Sequence, residues 1–179
     1  MVGNILRDYL VMALPQFDLN APIIPKISAA GFSLGDRLEE MEHLLSSATI
    51  KKVSPGFNSV RASQENKGLL HLQYDGWSSL EYQHYTVRLD FNDDGQLSSI
   101  WMFSDYRGCF LESFCTGSSI HALKELMPIF YDDGDEMFYP DHEKRQDLPY
   151  GIAFIAAEDA EEDSEWLIHG FSVHDYERF

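Results

Sequence analysis

The chain has 179 residues, of which 44% are hydrophobic and 13% aromatic, so it can bury a sizeable core. Its 30 acidic residues against 13 basic ones give a net charge of −17. This balance excludes the basic surface that nucleic acids and anionic membranes require, so neither is a predicted partner. Two explanations of the negative charge stay open: it attracts a basic protein partner, or it serves only solubility.

Three features predict a cytoplasmic protein. The stretch 1–14 carries Asp8 within its apolar residues and lacks a small-residue cleavage site, unlike a signal peptide. No apolar run reaches the length of about 18 residues that spans a membrane. We therefore expect Cys109 and Cys115 to be reduced thiols, with a disulfide bond as the less favoured alternative.

The first predicted elements are two helices. Residues 1–14 are predicted to form a short helix that Pro15 ends. A second helix of about three turns is predicted after Gly35, with Asp36 as its N-cap and Glu39 completing a capping box. Its apolar positions recur at helical spacing: Leu34, Leu38, Met41, Leu44 and Leu45.

Strands are predicted next, because aromatic and β-branched residues become frequent after residue 48. The predicted strands are 50–53, 68–74, 84–91 and 97–103. Asp94-Gly95 between the last two predicts a hairpin. Alternation places Tyr85, Val87, Leu89 and Phe91 on one face and Thr86, Arg88 and Asp90 on the other. An open face with aromatic residues and surrounding carboxylates would form a protein-binding surface.

The pattern then repeats weakly. Setting Gly35 on Gly117 aligns Leu44 with Leu126 as equivalent helix positions, and residues 150–156 and 166–173 resemble 85–91 and 97–103. The predicted fold is therefore α+β, with two tandem helix-plus-antiparallel-sheet modules. Residues 1–107 hold an N-terminal extension and the first module, and residues 108–179 hold the second. We expect them to pack as one compact unit.

A possible catalytic serine lies before the second helix. The sequence Gly31-Phe-Ser-Leu-Gly35 matches the G-x-S-x-G nucleophile elbow, with Ser33 as the nucleophile. An elbow needs a buried parallel strand before it, whereas the preceding residues contain Pro22 and Pro25. The favoured interpretation is therefore that Gly35 lets the backbone turn into the helix, and a serine hydrolase remains the alternative.

No other motif predicts chemistry. The sequence has no H-E-x-x-H and no C-x-x-C, and it has no glycine-rich phosphate loop, so neither a metal nor a cofactor is predicted. The acidic stretch 132–136 lacks the alternating order of a calcium loop, and Pro140 stands where that loop has its glutamate. A solvated acidic loop is the favoured interpretation.

The residues around Gly35 resemble segments of known families. The segment PIIPKISAAGFSLGDRLEEMEHLL resembles the opening of many small bacterial immunity proteins. It is also similar to the outer-membrane assembly lipoprotein BamE and to one repeat of β-lactamase inhibitory protein. The close match covers only about residues 23–45. The chain has no lipobox cysteine, which argues against an envelope role like that of BamE.

The resemblance implies an inhibitor and not an enzyme. It implies a cytoplasmic immunity protein of a contact-dependent growth inhibition or similar toxin system, which binds a cognate toxin stoichiometrically. A nuclease toxin would be basic, because it binds nucleic acid. A non-catalytic adaptor is a further alternative. The expected toxin-binding residues are acidic side chains in 132–136 and 158–165 together with one tryptophan: Asp132, Asp133, Asp135, Glu136, Glu158, Asp159, Glu161, Glu162, Asp163 and Trp101.

Overall fold

The computed structural model describes residues 15–54, 57–156 and 166–175. The predicted helix over 1–14 and the predicted contact residues Glu158, Asp159, Glu161, Glu162 and Asp163 lie outside the described residues. The strands are β1 (Ser28–Ala29), β2 (Phe32–Ser33), β3 (Thr49–Lys52), β4 (Leu69–Gln73), β5 (Ser78–Tyr82), β6 (Val87–Phe91), β7 (Leu97–Met102), β8 (Ile129–Asp132), β9 (Met137–Pro140), β10 (Ile152–Ala156) and β11 (Ile168–His174). The helices are a 3₁₀ turn over Leu38–Met41, then α1 (Glu42–Leu45), α2 (Ser59–Glu65) and α3 (Ile120–Leu126).

One nine-stranded sheet organises the molecule, in the order β3-β4-β5-β6-β7-β11-β10-β9-β8. Strands β4 to β7 form one antiparallel meander and β8 to β11 form another. The two meanders meet where β7 pairs antiparallel with β11, in register from Met102 opposite Phe171 to Ser99 opposite His174. Strand β3 joins the edge of the sheet in parallel to β4, and α2 forms the crossover between them.

One face of this sheet, here called the core face, carries the main hydrophobic core. Alternation along β6 buries Val87, Leu89 and Phe91, and the apolar partners opposite them are buried too: Leu80, Leu97, Ile100 and Met102. The core face packs against Phe32 of β2, Met41 of the 3₁₀ turn and other residues from α3 and the loops. The second face carries the polar and aromatic residues that form the candidate site.

The predicted fold class is wrong, because one sheet replaces two helix-plus-sheet modules. Among the described residues the three α-helices are short, and every strand except β1 and β2 belongs to one continuous sheet that includes both halves of the chain. The division of the chain at residue 107 stays a prediction. The turns at Gly35 and Gly117, which the sequence repeat aligns, do make equivalent backbone hydrogen bonds to strands of the sheet. The Gly35 N–H donates to the Leu97 carbonyl at 2.9 Å and the Gly117 N–H to the Ile168 carbonyl at 2.7 Å, both with φ near +90°.

The helix after Gly35 also differs from its prediction. The Asp36 carboxylate accepts a hydrogen bond from the backbone of Ser33 instead of capping the helix, and Glu39 pairs with Arg37, so no capping box forms. Without that cap, only a 3₁₀ turn and one α turn follow. Helix α3 is capped by Ser119, whose hydroxyl accepts from the backbone N–H groups of His121 and Ala122.

The two cysteines form a disulfide bond, so the expectation of reduced thiols is wrong for this structure. Cys109 and Cys115 close a tight hairpin in which the backbones of Phe110 and Phe114 bond to each other. Phe110 is buried in the core and anchors this hairpin to the sheet. In the described residues, no helix is long and apolar enough to cross a membrane.

Candidate functional site

The second face of the sheet is polar at its centre. Every second residue of adjacent strands points to this side, and several of these residues are polar. Arg88 of β6 lies opposite Trp101 of β7, which lies opposite Ser172 of β11. Farther along the sheet the same face carries a small apolar group around Met137, Tyr139 and Ala153, with Ile155 and Trp101 against it. The centre of the second face thus changes from charged to apolar at Trp101.

Arg88 is the hub of a polar network on this face. Its Nε donates to Asp90 at 2.6 Å and its Nη1 donates to the Tyr85 hydroxyl at 2.9 Å. Asp90 also accepts from the indole Nε1 of Trp101 at 2.9 Å. Burial acts to lower the pKa of Arg88, but Asp90 and Tyr85 raise it above its ordinary value, so the guanidinium stays charged. The network holds the Trp101 ring in one orientation.

A strained turn positions the tyrosine of this network. Gln83, His84 and Tyr85 connect β5 to β6, and all three have positive φ values, of 44°, 53° and 73°. Left-handed backbone costs roughly 1–2 kcal/mol for each non-glycine residue. Such strain is concentrated at functional sites. Here the turn reverses the side predicted for Tyr85, whose hydroxyl reaches Arg88 on the second face.

A cavity of about 630 Å³ opens on the second face beside this network. Its volume lies in the range of ligand and anchor pockets, about 300–1,000 Å³. Met137 and Ile155 contribute apolar surface, Arg88 lines one side, and Asp135 and Glu136 contribute carboxylates from the turn between β8 and β9. Five aromatic residues also line it: Tyr85, Trp101, Phe103, Tyr131 and Trp166.

A second cavity of about 460 Å³ adjoins the first and shares Tyr85, Arg88 and Phe103 with it. It lies against α2, where the buried carboxyl of Glu81 accepts a hydrogen bond from the Ser63 hydroxyl. Burial raises the pKa of Glu81 above its ordinary value, although the bond from Ser63 opposes this shift. The two cavities make a groove across the second face, divided by Tyr85 and Arg88.

The structure brings together three of the predicted contact residues. Trp101, Asp135 and Glu136 line the same cavity. Asp132 ends β8 and caps the following turn by accepting from the Gly134 N–H at 2.8 Å, and Asp133 is exposed in that turn. Asp135 and Glu136 therefore form an acidic rim on the aromatic cavity, and Asp132 and Asp133 extend this rim along the chain. Whether they bind a partner stays a prediction.

The sequence patterns did not single out several residues of the site. Tyr131 and Trp166 come from segments whose strand pairing the sequence did not show, and Glu81 lies on β5, which was not predicted. Alternation did place Arg88 and Asp90 together on one face, and the network confirms that. A basic residue in the middle of an apolar strand was the signal available for Arg88.

Ser33 does not lie in a nucleophile elbow. It ends the two-residue strand β2, which pairs antiparallel with β1, and a 3₁₀ turn follows. An elbow instead needs a strand-to-helix turn that follows a buried strand of a parallel sheet. Within the described ranges, no group of three or more His, Cys, Asp or Glu side chains is arranged to hold a metal ion.

Comparisons with protein-family models, with curated proteins and with solved structures found no significant match to this chain. The resemblance to immunity proteins therefore stays a prediction from the sequence, which rests mainly on residues 23–45. In the structure this segment supplies the β1–β2 hairpin and the 3₁₀ turn that cover the core face. None of its residues lines either cavity of the candidate site on the second face.

Proposed function

We propose that this protein is a stoichiometric inhibitor that binds a basic protein, and that the partner is a bacterial toxin for which it provides immunity. The observation that carries the proposal is the aromatic cavity on the second face, with Asp135 and Glu136 in its lining and Asp132 and Asp133 beside them in the same stretch of chain. Aromatic residues are enriched at the energetic centres of protein interfaces, and a polar rim surrounds such centres.

Charge supports a basic partner. The segment 130–179 holds 15 of the 30 acidic residues and only three basic ones, giving it a net charge of −12. Complementary charge raises association rates and favours one class of partner over another. A nuclease toxin would present a positive surface for its own nucleic acid, which an acidic protein could occupy.

The proposal places the protein in the cytoplasm, where a delivered nuclease toxin would act. The bond between Cys109 and Cys115 opposes this placement, because disulfides rarely persist in a reducing cytosol. The cytoplasmic placement is tested by alkylating free thiols in intact cells before lysis and measuring the mass of the protein by mass spectrometry. Two alkylated cysteines support the cytoplasm, whereas an intact bond points to an oxidising compartment.

The test of the proposed function is capture of the partner from the native host. A tagged protein is washed at low salt, and each retained protein is expressed separately for toxicity. We expect a basic protein whose toxicity is abolished at a one-to-one ratio. Capture of an acidic or harmless housekeeping protein would instead support an adaptor.

A charge variant then tests the rim itself. Asp132→Asn, Asp133→Asn and Glu136→Gln together remove three charges while keeping side-chain shape. We expect the association rate with the captured partner to fall several-fold and its salt dependence to decrease.

A matched control removes the same number of charges from exposed positions elsewhere in the chain: Glu112→Gln, Glu125→Gln and Glu143→Gln. Equal loss in both variants would show that only net charge matters and that the rim is not the contact surface.

A further inference from the structure

Aromatic rings enclose the first cavity from different elements of the fold. Trp101 and Phe103 come from β7 and the residue that follows it, Tyr85 from the strained turn, Tyr131 from β8, and Trp166 from the approach to β11. The rings of Tyr131 and Trp166 meet edge to face, with centroids 6.2 Å apart. The face of an aromatic ring attracts cations, most strongly in tryptophan.

The charge around the cavity favours a cation as well. Asp135 and Glu136 both line it, and Arg88 is the single basic residue among the described residues of its lining. The charge of Arg88 is balanced by Asp90, whose carboxylate lies 2.6 Å from its Nε. The side chains of this pair are only 21% and 15% exposed, so they interact with each other more than with solvent. The lining is therefore negative overall.

Resting on the proposed function, we propose that this cavity receives an arginine side chain from the basic partner. The guanidinium stacks on the aromatic walls and bonds to the carboxylates of the β8–β9 turn, Glu136 in particular. Arginine suits this geometry better than lysine, because its planar group stacks on rings and forks toward carboxylates. The apolar stem of the side chain packs on Met137 and Ile155.

The test uses short peptides and needs no toxin. The chain has three tryptophans, so the protein labelled with ¹⁵N gives three indole N–H signals in an NMR spectrum. We titrate acetyl-Gly-Arg-Gly-amide and follow the signals of Trp101 and Trp166. The matched peptide replaces arginine by citrulline, which keeps the planar shape and removes the charge. A third peptide carries lysine.

We expect the arginine peptide to shift the Trp101 and Trp166 signals saturably at millimolar concentrations, with weaker binding of lysine and none of citrulline. Glu136→Gln and Trp166→Leu should each weaken arginine binding about three- to tenfold, whereas the control Glu143→Gln leaves it unchanged. The spectrum of each variant without peptide also shows whether that variant is folded.

Absence of saturable shifts in the wild-type protein would overturn the inference, as would equal binding of citrulline or no effect of either cavity variant. The proposed function would survive that result, because a basic partner can bind the rim without inserting a side chain. Failure of the proposed function is seen separately, as the absence of a basic toxin in the capture experiment.

Discussion

Helix α3 provides a sharp test of how the core is built, because two of its leucines differ in burial. Leu123 is fully buried against the core face, whereas Leu126 is 49% exposed. The sequence repeat predicted that Leu126 occupies a helix position equivalent to that of Leu44, which is partly buried. Leu123→Ala removes a buried side chain and leaves a cavity, so it should cost about 2–5 kcal/mol of stability.

Leu126→Ala should cost much less. Complete burial of a leucine side chain contributes about 1.5–3 kcal/mol, so a half-exposed one contributes about 1 kcal/mol. Alanine also has the higher helix propensity, which offsets part of that loss. The assay is urea unfolding followed by tryptophan fluorescence, with the slope compared between variants. Equal losses at the two positions, or a loss below about 1 kcal/mol at Leu123, would refute this account of the core.

Three further predictions concern the site, the backbone and the disulfide. Because burial raises the pKa of Glu81, the folded protein loses stability as the pH rises from about 4.5 toward the folded pKa, so Glu81→Gln should stabilise it at pH 7 and not at pH 4, as measured by thermal unfolding. Gly108→Ala should destabilise by about 3 kcal/mol, since a Cβ there would lie 1.9 Å from the Ala21 carbonyl oxygen. Gly68→Ala, which meets open space, should change the free energy of unfolding little. Replacing Cys109 and Cys115 by serine should cost about 2 kcal/mol in oxidising buffer, and reductant should then have no further effect on unfolding.

Local patterns predicted the local structure of the sheet well. The predicted strands 50–53, 68–74 and 97–103 correspond to β3, β4 and β7 within a residue or two at each end, and Asp94-Gly95 does close a hairpin. These elements were predictable because alternation and turn residues act over a few positions.

The arrangement of the strands depended on pairing that no local pattern records. The antiparallel contact of β7 with β11 joins residues about 70 positions apart in sequence and turns two expected modules into one sheet. Short strand β8 carries exposed aromatic residues, β9 carries buried ones, and an acidic turn joins them, which the sequence showed only as a charged loop.

The candidate site was predictable in chemistry but not in geometry. Its acidic rim and Trp101 were expected from composition and alternation. The face of the sheet predicted for Tyr85 was wrong, because three residues with left-handed backbone interrupt the alternation just before β6. Only the tertiary structure brings Trp166 and Tyr131 beside Trp101.

Hydroxyl-radical footprinting of the captured complex tests the central claim, that the aromatic cavity on the second face binds a basic partner. The measurement is the oxidation rate of each side chain in the free and bound protein. We predict strong protection of Trp101, Tyr131 and Trp166 on binding, and unchanged oxidation of Tyr150, which is 46% exposed and does not line the cavity. Protection at Tyr150 with undiminished oxidation of the three cavity residues would contradict the account.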